Sequence, residues 1–329
     1  MAQGDLIMSD TLRCCDPERD IAAIVEIENT AWVHAGFQFQ ATDEALLRNR
    51  WERMPTFVPE RDCVVIERDG VVCAYGMVLP GETSAGERIF TLQGGVHPRA
   101  QRSGCGAVVL RWQEQRAREI VAGPCIVEMT MIDGQAGQRA FVAAAGFTPA
   151  WRYAQMLCEL SVPLDVPQLP SGLRVRTPEV SERRRVLEAR NAAFRSARGH
   201  VEATEDDYRG MEADPAAEPE GWLVAWDAHS GEPVGGAHPG VYEPDNARFG
   251  LRRGWVYWLW VKSEWRRRGV ARALLARACA ALRARGMNEA TLFVDVDNES
   301  GVMKLYERAG FRLLGGWSVY RKVTKAERR

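Results

Sequence analysis

The chain has 329 residues, 43 Lys and Arg against 44 Asp and Glu, with 46% hydrophobic and 26% charged residues. That length accommodates two ordinary domains, and the composition excludes a disordered or fibrous chain. A formal charge of −1 argues against a protein whose main work is gripping nucleic acid, because such domains are strongly basic.

Taken in chain order, MAQGDLIMSDTLRCCDPERD reaches acidic and polar residues too early for a signal peptide. No uninterrupted apolar segment approaches the roughly 20 residues of a membrane helix. A soluble, cytoplasmic protein without a membrane or nucleic-acid partner is expected. The cysteines Cys14, Cys15, Cys63, Cys73, Cys105, Cys125, Cys158 and Cys279 lack C-x-x-C spacing, and no H-E-x-x-H occurs. Reduced thiols, no disulfide framework and no metal site are the expectation.

A helix carrying EIENTAW (Glu26 to Trp32) comes first, then strands, then QRSGCGAVVLRWQEQRARE from Gln101, then AAAGF ending at Phe147. CELSVPLDVPQLPSGLRVR follows, with Pro163, Pro167, Pro170 and Gly172, and reads as a stiff extended connector. Beyond it the motifs return. EARNAAF (Glu188 to Phe194) lies 162 residues after EIENTAW, and ERAGF, ending at Phe311, lies 164 after AAAGF. Arg266-x-x-Gly269-x-Ala271 lies 165 residues after Gln101-x-x-Gly104-x-Gly106. Three separated matches at nearly constant offset make the chain two copies of one domain, each large enough to own a core. The expected division is 1–160, a connector 161–172, and 173–329.

In the second copy, WLVAWD and GWVYWLWV are rich in β-formers. Ala271, Leu274, Leu275, Ala278 and Leu282 then recur at helical spacing, and Gly286 closes that helix. ATLFVDV is the next strand, Glu299 to Ala309 a helix and WSVYRKV a last strand. Helices on a mostly antiparallel sheet with one central parallel pair make an α+β fold.

The turn RRRGVAR, from Arg266 to Arg272, joins a strand to that amphipathic helix. The first N–H groups of a helix have no internal partner, and with the dipole they form an anion site for which phosphate is suited. Glycine at 269 lets the main chain approach it. Arg266, Arg267, Arg268 and Arg272 add charge able to neutralise a diphosphate held at Gly269, Val270 and Ala271. No Walker A loop is present, and GCGAVV lacks the third glycine of a dinucleotide fingerprint.

The pattern [QR]-x-x-G-x-[GA] at a strand–helix turn, followed by FVDVDNESGVMKLYERAGF from Phe293 to Phe311, resembles the GCN5-related N-acetyltransferase (GNAT) family. The resemblance covers essentially the whole chain, twice, and is greatest to tandem members of the mycothiol-synthase type. It implies two tandem GNAT-like domains and acetyl-coenzyme A as co-substrate, its pyrophosphate on the glycine turn. It also implies a contact from Asn298 to coenzyme A (asparagine is equally a good helix cap). The resemblance further implies that main-chain groups of Leu259, Trp260 and Val261 bind the pantetheine and polarise the acetyl carbonyl, and that Tyr306 acts as general acid toward the leaving thiolate.

Many relatives carry a glutamate on the strand ending at Val261, but here it reads Trp255, Val256, Tyr257, Trp258, Leu259, Trp260. Glu243 or Asp245, in the loop YEPDN, is the candidate base, acting through a water. The first copy keeps Gln101, Gly104 and Gly106 as a second candidate cofactor site. Val142 stands in place of Tyr306 there and Gly134 in place of Asn298, so it is expected to be non-catalytic. The expected reaction is acetyl transfer to a primary amine of a small molecule by direct attack, in a monomer or homodimer. The alternative is an acyl-coenzyme A-binding pseudoenzyme or sensor.

Overall fold

The computed structural model describes the chain apart from residues 1–9, 35–41, 53, 55, 83–85, 122, 163–164, 196–202, 206–207, 210–217, 298–300 and 325–329. Two compact units form, Met1–Trp151 with Trp317–Arg329, and Arg152–Gly316.

The first unit contains β1 (Asp10–Cys14), α1 (Pro17–His34), α2 (Glu44–Glu52), α3 (Pro59–Asp62), β2 (Cys63–Arg68), β3 (Val71–Glu82) and β4 (Arg88–Val96). Then come α4 (Cys105–Ile120), β5 (Ile126–Ile132) and α5 (Ala136–Ala144). Strands β1 to β4 pair antiparallel in sequence order, and β4 meets β5 in parallel. The strand β6 (Thr148–Glu159) leaves this unit at Trp151.

The second unit opens on the rest of β6 and continues through β7 (Leu173–Arg176), α6 (Arg183–Phe194), β8 (Leu223–Asp227), β9 (Pro233–Val241) and α7 (Glu243–Phe249). It then runs through β10 (Arg253–Val261), α8 (Val270–Ala284), β11 (Glu289–Asp295) and α9 (Val302–Arg308), and β12 (Arg312–Val323) leaves it at Gly316. Its sheet runs β7-β8-β9-β10-β11-β6, antiparallel except for β10 with β11. Both units are therefore α+β, with helices on a mixed sheet.

The division differs from the expected junction near Pro170, because each copy's last strand belongs to the other unit. Residues Tyr153 to Glu159 of β6 pair with β11. Residues Trp317 to Val323 of β12 pair with β5, and Thr324 there holds the Cys125 N–H at 3.1 Å. The connector is no free linker either: Arg277 donates to the Pro167 carbonyl at 3.0 Å, and Leu169 packs on the second unit's core.

Helix α8 shows why the unit holds together. Val270, Ala273, Leu274, Leu275, Ala278, Cys279 and Leu282 are buried against β9, β10 and β11. Each fully buried leucine contributes about 1.5–3 kcal/mol. Gly286 ends the helix at φ +83°, and the Met287 N–H returns to the Leu282 carbonyl at 3.1 Å. All eight cysteines are free thiols. Among the described residues, no helix is long and apolar enough to cross a membrane, and no group of three or more His, Cys, Asp or Glu is arranged to hold a metal.

Candidate active site

Gly269 takes the left-handed conformation, φ +84°, and caps α8, with Arg267 also left-handed at φ +62°. This double reversal turns the N–H groups of Arg267 to Arg272 outward. Among the described residues none of them has a hydrogen-bond partner, and the first to find one is Ala273, bonded to the Gly269 carbonyl at 3.1 Å. A row of free donors at the start of a 15-residue helix fits a diphosphate. Arg267, Arg268 and Arg272 stand exposed around it, Arg268 over the Trp265 ring and Arg272 3.7 Å from Asp165. Arg266 is exposed as well, with its guanidinium reaching back to the main chain. It donates to the carbonyls of Val261 at 3.1 Å and Ala193 at 2.9 Å, bracing the turn to β10 and α6. The Val261 carbonyl is thereby taken.

Beside the turn the sheet forks. Strand β11 pairs with β10 only from Arg253 to Trp255. From Val256 to Val261, β10 keeps β9 on one side and, among the described residues, has no strand on the other, with a bulge between Val256 and Trp258. Leu259, Trp260 and Val261 lie on this one-sided stretch, opposite Ala237, Gly236 and Gly235. Main-chain groups along the open edge are the kind that hold an amide-bearing chain.

Tyr306 lies on α9, is 6% exposed, and packs near Phe311 with ring centroids 6.0 Å apart. Burial pushes its phenol up to about 12. Its hydroxyl has no hydrogen-bond partner among the described residues, so it stays protonated and available. Glu243 is not in a loop. It opens α7, followed by Pro244 in the first turn, and is exposed; Asp245 is buried. Asn298 lies outside the described residues.

Sequence reasoning did not single out His238. It sits on β9 between the rings of Trp222, Tyr257 and Trp258, at centroid distances of 6.1, 5.1 and 5.3 Å. The signal was a strand of small residues, PVGGAHPGV, beside an aromatic one. A Cβ on Gly236 would lie 2.7 Å from the Trp260 Nε1, and one on Gly240 2.5 Å from the Tyr257 ring. Only glycine there leaves room for the rings.

The first unit repeats half of this. Arg102 and Gly104 adopt φ +61° and +87°, and Gly104 caps α4 as Gly269 caps α8. Gln101 is exposed and Gly106 lies in the helix's first turn. Strand β4 meets β5 only from Ile89 to Thr91, so a second fork is present. Behind this turn Arg68 holds Asp10 at 2.5 Å and the Ser103 hydroxyl at 3.0 Å. The two later helices end alike. Phe147 N–H bonds the Val142 carbonyl and Phe311 N–H that of Tyr306, each at 3.0 Å. Val142 thus occupies the place of Tyr306.

Comparison with known proteins follows the same lines. Residues 184–311 match the model of the acetyltransferase (GNAT) family. A mycothiol acetyltransferase of Propionibacterium freudenreichii is 30% identical over 73% of this chain and 72% of its own. One from Thermomonospora curvata is 28% identical over 94% of this chain and 95% of its own. Among solved structures, a GCN5-related N-acetyltransferase from Sphaerobacter thermophilus superposes with a TM-score of 0.78, at 24% identity and 98% coverage of both chains. A tandem GNAT protein from the clavulanic acid biosynthesis pathway gives 0.70, at 16% identity, over 97% of this chain and 99% of its own.

Proposed function

The chain belongs to the acetyltransferase (GNAT) family, and from that premise we propose that its C-terminal unit transfers acetyl from acetyl-coenzyme A to a primary amine of a small molecule, in the cytoplasm. The relatives named mycothiol acetyltransferase support a small-molecule acceptor. Acetyl-coenzyme A supplies an activated thioester carbonyl and a thiolate leaving group. The protein's part begins at the turn, where the N–H groups of Arg267 to Arg272 and the exposed Arg267, Arg268 and Arg272 hold the diphosphate. The open edge of β10, around Leu259 and Trp260, orients the pantetheine and presents donors to the carbonyl oxygen. Tyr306 holds a proton at its Oη and returns it to the sulfur. Glu243, through a water, takes the proton of the attacking amine. In the first unit the turn and the fork stand without a proton donor, and that unit is non-catalytic.

The observation that carries this reading is the buried phenol of Tyr306, without a hydrogen-bond partner among the described residues, where the matching helix end of the first unit has Val142. A release assay for free thiol over a panel of amines tests it. Tyr306→Phe should lower kcat by about 10²–10⁴-fold and leave coenzyme A affinity unchanged. Equal rates for the two proteins would remove Tyr306 from the mechanism. The absence of a carboxylate on β10 favours a second reading, an acyl-coenzyme A sensor, for which coenzyme A binds and no amine releases thiol.

A further inference from the structure

On the face of the second unit's sheet that carries α6, a surface of aromatic rings encloses an imidazole. His238 is 4% exposed, and its Nε2 is buried without a hydrogen-bond partner among the described residues. Trp222 lies at the floor of the nest, fully buried, while Trp258 is half-buried and Tyr257, 46% exposed, forms the rim toward solvent. Burial first, then the fields of Arg190 and Arg285, pushes the imidazole down to about 4, so it is uncharged at neutral pH. So weak a base does not deprotonate an amine. A buried polar atom left unpaired destabilises the fold relative to an apolar replacement, yet β9 gives up side chains at Gly236 and Gly240 to house these rings.

We propose that His238 is a specificity-determining contact, its Nε2 hydrogen-bonding a hydroxyl group on an acceptor molecule that lies against Tyr257 and Trp258. The proposal rests on the transferase reading for its use of the word acceptor. An uncharged imidazole exchanges a hydrogen bond with a hydroxyl in either direction. The aromatic walls supply flat apolar contact for a carbon skeleton. A site that hydrogen-bonds a substrate hydroxyl rejects the analogue lacking it, because its own polar atom is then left unpaired.

Two probes separate the hydroxyl from everything else: aminocyclohexanol and cyclohexylamine share ring and amine and differ in one hydroxyl. With coenzyme A present and histidine labelled with nitrogen-15, the His238 imidazole signal should shift on adding the aminoalcohol and stay in place with cyclohexylamine. With acetyl-coenzyme A, the KM for the aminoalcohol should be lower than for cyclohexylamine by roughly tenfold or more. His238→Phe, which keeps the ring packing, should erase that difference through KM, with the coenzyme A affinity unchanged. His238→Gln should restore part of it. No shift with the aminoalcohol, equal shifts with both probes, or a KM difference that survives in His238→Phe would each overturn the proposal. A protein that acetylates no amine sinks the transferase reading instead, and the imidazole signal still decides the contact.

Discussion

The two units share a scaffold and differ in chemistry. Each has a left-handed glycine capping a long helix, a sheet that forks beside it and a helix ending in the same return bond from an A-G-F phenylalanine. Only the second has a phenol at that helix end and an aromatic nest on β9 and β10. In the first, the buried carboxylates of Asp10, Asp20 and Asp62 are all in ion pairs that brace the unit. The capped turn and the fork rest on main-chain geometry, so both units have them although their side chains differ. Acid chemistry needs one particular side chain, and a single change removes it.

The sharpest way to break the comparison is at the two capping glycines. Either one replaced by alanine strains a left-handed position by about 1–2 kcal/mol and sets a methyl beside the free donors. Gly269→Ala should cut kcat/KM for acetyl-coenzyme A by roughly a hundredfold, since the loss of several charge-assisted hydrogen bonds adds to the strain. Gly104→Ala should leave turnover within about twofold, a change within experimental scatter on a free-energy scale. Steady-state thiol release on both variants checks this, and the reverse order would make the first unit the catalytic one.

How much of this was legible follows from how local each signal is. The repeat, the glycine turn and the stripe of α8 are set within a few residues of each other, and periodicity and spacing carry them. The exchange of last strands was not legible. Thr148 to Glu159 and Arg312 to Val323 have strand character either way, and nothing in a strand's own residues names the sheet it joins. Arg266 shows the same limit: its type announces an anion, while its position sends it to the carbonyls of Val261 and Ala193. The stretch YEPDN, read as a loop, is helical because Pro244 stands at the first turn, where a missing N–H costs nothing. His238 escaped because its meaning lies across the strand, in rings that the glycines at 236 and 240 admit.

Acid should separate the units next. In the first, burial raises the Asp62 carboxyl, but hydrogen bonds from Arg61 at 3.0 Å, the Val58 N–H at 2.9 Å and Arg116 at 3.0 Å outweigh it and hold it below 3.8. Asp20 is likewise burdened by burial and held down by Arg13 and the Asp16 N–H. A carboxylate whose native value lies below its unfolded one stabilises the fold above the unfolded value, and the stabilisation is lost as pH falls through the native one. In the second unit the lowered carboxylates Glu182 (to about 2, paired with Arg176), Glu205, Glu220, Asp227 and Glu264 lie nearer the surface. Between pH 4 and about 2, amide exchange on β2 and β3 should therefore accelerate before that on β9 and β10. Asp62→Asn should cost about 3 kcal/mol at neutral pH and flatten the acid limb of the unfolding curve. An unchanged acid limb would mean that Asp62 is equally stabilised in the unfolded chain.

The smallest effect tests how each glycine-capped helix sits on its sheet. Both cross a glycine: Gly76 on β3 lies under Val109 of α4, and Gly235 on β9 lies under Leu274 of α8. A Cβ on Gly76 would stand 2.3 Å from the Val109 Cγ1, and one on Gly235 2.9 Å from the Trp260 carbonyl oxygen and 3.3 Å from the Leu274 Cδ1. Overpacking of this order costs about 1–3 kcal/mol in either unit. The obstacles differ in kind, a β-branched side chain in one case and a neighbouring strand's main chain in the other. Trimming the helix should therefore rescue only the first. Val109→Ala combined with Gly76→Ala should be more stable than the sum of the two single losses, by about 1 kcal/mol in a double-mutant cycle. Leu274→Ala with Gly235→Ala should show the two costs simply adding, because no side chain removed from α8 moves the carbonyl of Trp260. Denaturant unfolding of the six proteins measures both couplings, and a rescue in the second unit would mean that β9 can slide away from β10 at the fork.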